Sequence, residues 1–145
     1  TLIAIAATDD SGVNEAVVAA GKARGVLVNV VDIPDMCDFY VPASITRGDL
    51  QITVSTGGAC PAFAKKVREE ITRQFGPEYE TFIRLAERLR LAALERVPEQ
   101  TRRQAILNSF LSSQALVLLA EGNEEAAEQI LMSYLDKLPG GDGSA

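Results

Sequence analysis

The sequence predicts an α/β fold in three consecutive parts: a βαβ unit, a β-hairpin followed by a helix, and a small all-helical region. Three observations predict it. Two short, continuous apolar runs, Leu2 to Ala7 and Val26 to Val31, flank a stretch with helical periodicity. The Leu50/Ile52/Val54 alternation follows a Gly48-Asp49 turn. From Glu78 onward, apolar residues recur at three- and four-residue steps. A chain of 145 residues, 47% hydrophobic and 23% charged, can bury a core without disulfide or metal staples.

Taken in order, Leu2 to Ala7 reads as a strand buried on both faces, as in a parallel sheet. Asp10 or Ser11 is placed to cap a helix running from about Val13 to Arg24, with Val13, Ala16, Val17 and Ala20 inward and Gly25 as its stop. Val26 to Val31 is the second buried strand, and the unit closes right-handed. Residues 33–38 form a loop, and Phe39-Tyr40-Val41 a short strand ending at Pro42. Ser44 to Arg47 and Leu50 to Ser55 make the hairpin. Pro61 opens a helix that carries Phe63, Val67, Ile71 and Phe75 at four-residue steps and breaks at Gly76-Pro77. Tyr79, Phe82, Ile83, Ala86, Leu89, Ala93, Leu94 and Val97 then form one apolar stripe. Ile106, Leu107, Phe110 and Leu111 form a second, and residues 115–120 a buried turn of helix. Asn123 caps a last helix with Ala126, Ala127, Ile130, Leu131, Tyr134, Leu135 and Leu138 inward. The expected divisions are 1–40, 41–75 and 76–139, with a frayed, disordered tail at 140–145. Two strands and one helix leave a sheet edge and face open, so a preceding segment or a partner chain is expected to complete the sheet. A start at Thr1 rather than Met suits a fragment or processed chain.

Composition removes several function classes. Histidine is absent, which excludes imidazole metal ligands and Ser-His triads. The net charge of −6 argues against general nucleic-acid binding, and no apolar run spans a bilayer. Two cysteines, Cys37 and Cys60, suit a reduced, cytoplasmic setting and read as buried small hydrophobes. The charge is uneven: residues 1–38 carry a net −4, residues 39–75 a net +2 and residues 76–145 a net −4. The basic segment holds Arg47, Lys65, Lys66, Arg68 and Arg73, either a solvated helix face or a site for an anionic small molecule.

Chemistry concentrates at strand ends. Asp32 closes the second strand, where ligands of open α/β sheets bind, and its apolar neighbours suit a carboxylate acting as general base. The alternative is a strand-end Asp satisfied by local N–H groups. Thr8, Asp9 and Asp10 close the first strand, as helix caps or as one edge of a cofactor crevice. Ser55-Thr56-Gly57-Gly58 precedes a helix start, and reads either as a tight β-to-α turn or as a backbone anion nest. It lacks the Gly-Lys-Ser/Thr ending of a P-loop. Arg102-Arg103 reads as surface charge or a second anion contact.

The ordered series Ile5-Ala6-Ala7-Thr8-Asp9-Asp10, Asn29-Val30-Val31-Asp32, Phe39-Tyr40-Val41-Pro42-Ala43, Arg47-Gly48-Asp49-Leu50 and Ser55-Thr56-Gly57-Gly58-Ala59-Cys60-Pro61 resembles the precorrin-2 dehydrogenase / sirohydrochlorin ferrochelatase family, the siroheme-forming module of siroheme synthase. The likeness is specific over the first half and architectural over the second. It implies the C-terminal part of a Rossmann NAD-binding domain (1–40), a hairpin-plus-helix dimerisation segment (41–75) and a helical domain (76–139), in a homodimer. The family's glycine-rich cofactor loop would lie before the first motif, so the NAD site is expected to be incomplete here. The implied activity is NAD-dependent oxidation of precorrin-2 to sirohydrochlorin, with ferrochelatase activity in some members. The family's catalytic aspartate carries over to Asp32, which would also guide Fe²⁺ transiently during chelation. Thr8, Asp9 and Asp10 become cofactor contacts. Arg47, Thr56, Gly57, Gly58, Lys65, Lys66 and Arg68 become contacts for a carboxylate-rich tetrapyrrole. The competing reading is a non-catalytic tetrapyrrole- or nucleotide-binding relative, and membrane and nucleic-acid partners have no support.

Overall fold

A computed structural model describes residues 1–140. Of the tail expected at 140–145, only Gly140 therefore lies within the described residues. The elements follow the order β1 (Ile3–Ala6), α1 (Ser11–Arg24), β2 (Leu27–Val30), β3 (Ala43–Arg47), β4 (Leu50–Val54), α2 (Pro61–Gln74), α3 (Glu78–Arg96), α4 (Gln100–Leu111), α5 (Ala115–Ala120) and α6 (Glu124–Leu135). The described residues divide into two compact units, one of residues 1–44 and 53–70, the other of residues 45–52 and 71 onward.

In the first unit β1 and β2 pair in parallel, with Ile3 opposite Leu27 and Ala6 opposite Val30. Asp10 caps α1 by accepting from the N–H groups of Gly12 and Val13, at 2.8 and 3.1 Å. Gly25 ends it in the left-handed conformation, φ 66°. The core joins Ala6, Val28 and Val30 to Val17 and Val18 of α1. Of the expected Val13/Ala16/Val17/Ala20 face only Val17 packs inward: Val13, Ala16 and Ala20 are exposed, while Asn14 and Gly21 are buried. Gly21 explains the rotation, because a Cβ there would collide with Val28 Cγ2, so the helix meets the sheet at its glycine.

β1 is not buried on both faces. Ala4 and Ala6 pack inward, whereas Ile3 and Ile5 are 55% and 58% exposed. β2 is buried across Val28, Asn29 and Val30, with Leu27 exposed at its start. Alternation along β1 turns Ile3 and Ile5 away from α1. Phe39-Tyr40-Val41 is not a strand either. Only Asp38 pairs with β2, and the Asn29 side chain takes the Phe39 carbonyl that a strand would offer.

The hairpin β3–β4 turns through Gly48-Asp49. Gly48, at φ 55°, holds the first central position of the turn, where a type II′ hairpin requires glycine. In the second unit α3 packs against α4, α5 and α6. Its buried residues are Phe82, Leu85, Leu89 and Ala93. Leu85 is therefore a core residue absent from the expected stripe, and Leu94, expected inward, is exposed. On α4, Phe110 is wholly buried but Leu111 is exposed, and on α5 Ala115 is buried but Val117 is exposed. Phe110 stacks on Phe82 with ring centroids 5.6 Å apart and receives Tyr134 edge-on at the same distance. Arg103 donates to the Val97 and Pro98 carbonyls at 2.8 and 2.6 Å, closing the α3–α4 connection. α6 starts at Asn123, whose side chain accepts from Ala126 N–H at 3.1 Å.

Two substitutions test this packing. Phe110→Ala is expected to cost about 3–5 kcal/mol in chemical denaturation, because it empties the centre of the helical core. Gly21→Val should cost at least about 2 kcal/mol, since α1 cannot keep its approach to Val28. A wild-type midpoint for Gly21→Val would contradict that approach.

Candidate functional site

The site grows from the end of β2. Val31 N–H still pairs with Ala6 of β1, at 2.9 Å. Asp32 then turns into the left-handed region at φ 62°, the one non-glycine residue to do so among the described residues. A side chain in that region costs roughly 1–2 kcal/mol in general and less for Asp, whose short polar side chain tolerates it, and such positions concentrate at functional sites. Ile33 N–H closes the turn on the Val30 carbonyl at 3.3 Å. A single 3₁₀ turn, Pro34–Met36, follows.

The chain then folds back along the outer edge of β2. Asp38 N–H donates to the Val28 carbonyl at 2.7 Å, and its carboxylate accepts from Val28 N–H at 2.8 Å. Cys37 Sγ accepts from Val30 N–H at 3.3 Å and lies 3.2 Å from the Val30 carbonyl and 3.3 Å from that of Ile33. Asn29, buried within β2, donates to the Phe39 carbonyl at 2.8 Å and to Cys37 Sγ at 3.4 Å. Every one of these bonds lies within ten residues of sequence, so the turn that presents Asp32 is tied at several points.

A cleft of about 360 Å³ opens beside this turn, within the first unit. Asp32 forms part of its wall, together with Tyr40 and Pro42 from the returning chain, Ser55, Thr56 and Gly58 from the loop after β4, and Ala64 of α2. Asp32 is exposed, and none of the described hydrogen bonds or ion pairs engages its carboxylate. Local N–H groups therefore do not satisfy it, and it is available to a ligand. Its apolar sequence neighbours do not enclose it, because Val31 is itself exposed.

The other expected site residues fall in different places. Thr56 and Gly58 share the cleft with Asp32, and Gly57 lies between them. Gly57 and Gly58 have φ of 60° and 83°. Three N–H groups of this loop are already taken: Gly57 donates to Ser55 Oγ, Ala59 to the Thr56 carbonyl and Cys60 to Thr56 Oγ1. The loop is thus a tied β-to-α turn before it is an anion cradle. Thr8 Oγ1 meets Asn14 Oδ1 at 2.9 Å and Asp10 caps α1, so both are engaged locally. Thr8, Asp9 and Asp10 share the carboxyl edge of the parallel pair with Asp32 but do not wall the cleft. Lys65, Lys66 and Arg68 lie outside the cleft wall too. By helical geometry Arg68 continues the face of Pro61 and Ala64, whereas Lys66 is on the opposite side. Arg47 belongs to the second unit, where its guanidinium ties the Phe75 and Thr46 carbonyls at 3.0 Å each. Cys60 is exposed, contrary to its reading as a buried hydrophobe, because it occupies the first turn before α2. Cys37 is half-buried and works as a hydrogen-bonding group.

Sequence reasoning missed Asn29, Asp38 and Tyr40 as site residues, and read Cys37 only as a buried hydrophobe. Asn29 carried a usable signal, since a polar residue inside an apolar strand run must find partners. Among the described residues no group of three or more acidic or cysteine side chains could hold a metal ion. A dinucleotide fits in part. The carboxyl edge of a parallel pair is where ligands of open α/β sheets bind. The amino end of α1 does not suit a pyrophosphate, because the Asp10 carboxylate already occupies it.

The chain matches three families in succession: a putative NAD(P)-binding family over residues 1–43, the central region of sirohaem biosynthesis proteins over 47–74, and the sirohaem synthase dimerisation region over 78–135. The dimerisation match thus covers the helical part and the central match the hairpin and α2. Siroheme synthase of Methylococcus capsulatus is 41% identical over 132 residues, which is 91% of this chain and 28% of that protein. Siroheme synthase of Nitrosomonas europaea is 33% identical over 144 residues, which is 97% of this chain and 30% of that protein. The chain therefore spans under a third of the length of these relatives. Among solved structures, the precorrin-2 dehydrogenase SirC has the same fold, with a TM-score of 0.72 at 22% identity over 92% of this chain and 65% of that one.

The left-handed turn has a direct test. Asp32→Ala keeps a Cβ in the strained region and loses the Asp preference for it, so it should lower stability by about 1 kcal/mol. Asp32→Gly should lose less. Equal denaturation midpoints for the two variants would count against the geometry.

Proposed function

We propose, on the premise that this chain belongs to the family of siroheme-forming proteins, that it carries the catalytic aspartate of an enzyme oxidising precorrin-2 to sirohydrochlorin with NAD⁺. One observation carries the reading: a carboxylate free of protein partners, strained into place at the carboxyl end of a parallel strand, in a cleft of a chain whose first 43 residues match an NAD(P)-binding family. The reaction removes one hydride and one proton from the tetrapyrrole. NAD⁺, when bound, would supply the hydride acceptor. Asp32 takes the proton, and the bonds made by Cys37, Asp38 and Asn29 hold its turn against β2 while it does so.

The substrate is rich in carboxylates. Thr56, Gly57 and Gly58 at the amino end of α2 form the nearest polar wall of the cleft, with Arg68 further along the same helix face. Lys65, Lys66 and Arg47 add positive charge to this middle segment. Thr8, Asp9 and Asp10 face the cofactor at the shared strand edge. Where the protein also chelates, ferrous iron enters as a substrate and Asp32 is the carboxylate that guides it. The dimerisation-region match supports a homodimer, built from the helical part together with the 41–75 segment. The working divisions remain 1–40, 41–75 and 76–139, in a cytoplasmic protein.

The test is an anaerobic assay of the full-length protein with precorrin-2 and NAD⁺, following NADH and sirohydrochlorin absorbance. Asp32→Asn keeps the turn, because Asn tolerates the left-handed region. It should reduce kcat by at least about 100-fold with little change in KM for NAD⁺. Undiminished turnover by a folded Asp32→Asn protein would overturn the assignment.

A further inference from the structure

We infer that Tyr40 is a substrate-contacting residue: its ring forms an aromatic platform in the cleft against which the flat, conjugated part of a tetrapyrrole stacks. The inference rests on the tetrapyrrole reading above and extends it to a residue and a type of contact. Tyr40 lies in the cleft wall with Asp32 and remains 43% exposed. A large aromatic ring in that condition is unusual for a core residue and ordinary for a binding one.

The ring is also seated. It lies against Gly58, where a Cβ would come within 2.7 Å of ring atom Cε1 and 2.8 Å of Cζ. Any side chain at 58 would push the ring off, so glycine serves two demands there, φ 83° and room for Tyr40. The Tyr40 hydroxyl is 3.5 Å from the Pro34 carbonyl, two residues beyond Asp32. The hydroxyl end of the ring is thus seated against the Gly58 loop, and its hydroxyl is referenced to the turn that carries the catalytic carboxylate. A planar ligand resting on the free side would be positioned relative to Asp32 through Pro34. The oxidation extends conjugation in the macrocycle, so a π platform favours the product-like, flatter state.

The experiment titrates sirohydrochlorin anaerobically into the full-length protein and follows the macrocycle's absorbance and fluorescence. Tyr40→Phe keeps the ring and should bind within about twofold of wild type, whereas Tyr40→Leu keeps the bulk and should bind about tenfold more weakly. Gly58→Ala, which leaves the ring chemically intact but displaces it, should also weaken binding. The double variant should bind no more weakly than Tyr40→Leu alone, because both changes remove one contact. Thermal melts accompany each variant. If Tyr40→Leu fails to fold, Tyr40→Met, which also lacks the ring, takes its place against Tyr40→Phe. Wild-type affinity in both Tyr40→Leu and Gly58→Ala overturns the platform and leaves the tetrapyrrole reading intact. No sirohydrochlorin binding by the wild-type protein overturns both.

Discussion

The return of residues 37–39 along β2 is the constraint on which the site depends. A parallel strand leaves every second residue's N–H and C=O pointing away from its partner, and in a buried strand those groups must be satisfied. Val28 and Val30 are both buried, and their outward groups are taken by Asp38 and Cys37. A second strand would have satisfied them equally well. The short-range return does it with one residue's backbone and two side chains, which leaves a turn between β2 and the return. That turn holds Asp32.

Packing around this sheet is thin: Ala4, Ala6, Val28 and Val30 pack with Val17 and Val18 of α1, while Ile3, Ile5 and Leu27 remain exposed. The second unit faces no such shortage. There α3 meets three helices, and Phe82, Phe110 and Tyr134 form a continuous aromatic contact through the centre. Its exposed ion pairs, Arg84–Glu124 and Arg88–Glu128, join α3 to α6 but contribute little beside that burial.

Much of the local structure was legible in the chain. Asp10, Gly25, Pro61 and Asn123 begin or end helices as their chemistry requires, because capping depends on neighbours within one turn. The hairpin at Gly48-Asp49 was legible for the same reason. The inward face of α1 was not. Val13, Ala16 and Ala20 make a plausible apolar stripe, yet the helix rolls toward Asn14 and Gly21 because Gly21 alone permits the close approach to Val28. Leu85 and Leu94 make the same point on α3, where two equivalent leucines are sorted by which side the other helices occupy.

For the site, the sequence by itself determined that a carboxylate would close β2 at the ligand-binding edge of a parallel pair, and that Thr56 and Gly58 would stand before a helix start. Strand polarity and turn chemistry are local, so Asp32 needed no distant information. Tertiary structure alone decided the company it keeps. Tyr40 reaches Gly58 across eighteen positions, Arg47 is drawn to the Phe75 carbonyl within the second unit, and Cys37 becomes a hydrogen-bonding staple rather than an apolar filler. Those outcomes follow from which backbone groups remain unpaired and which glycines leave room, and both are set only when separate segments meet.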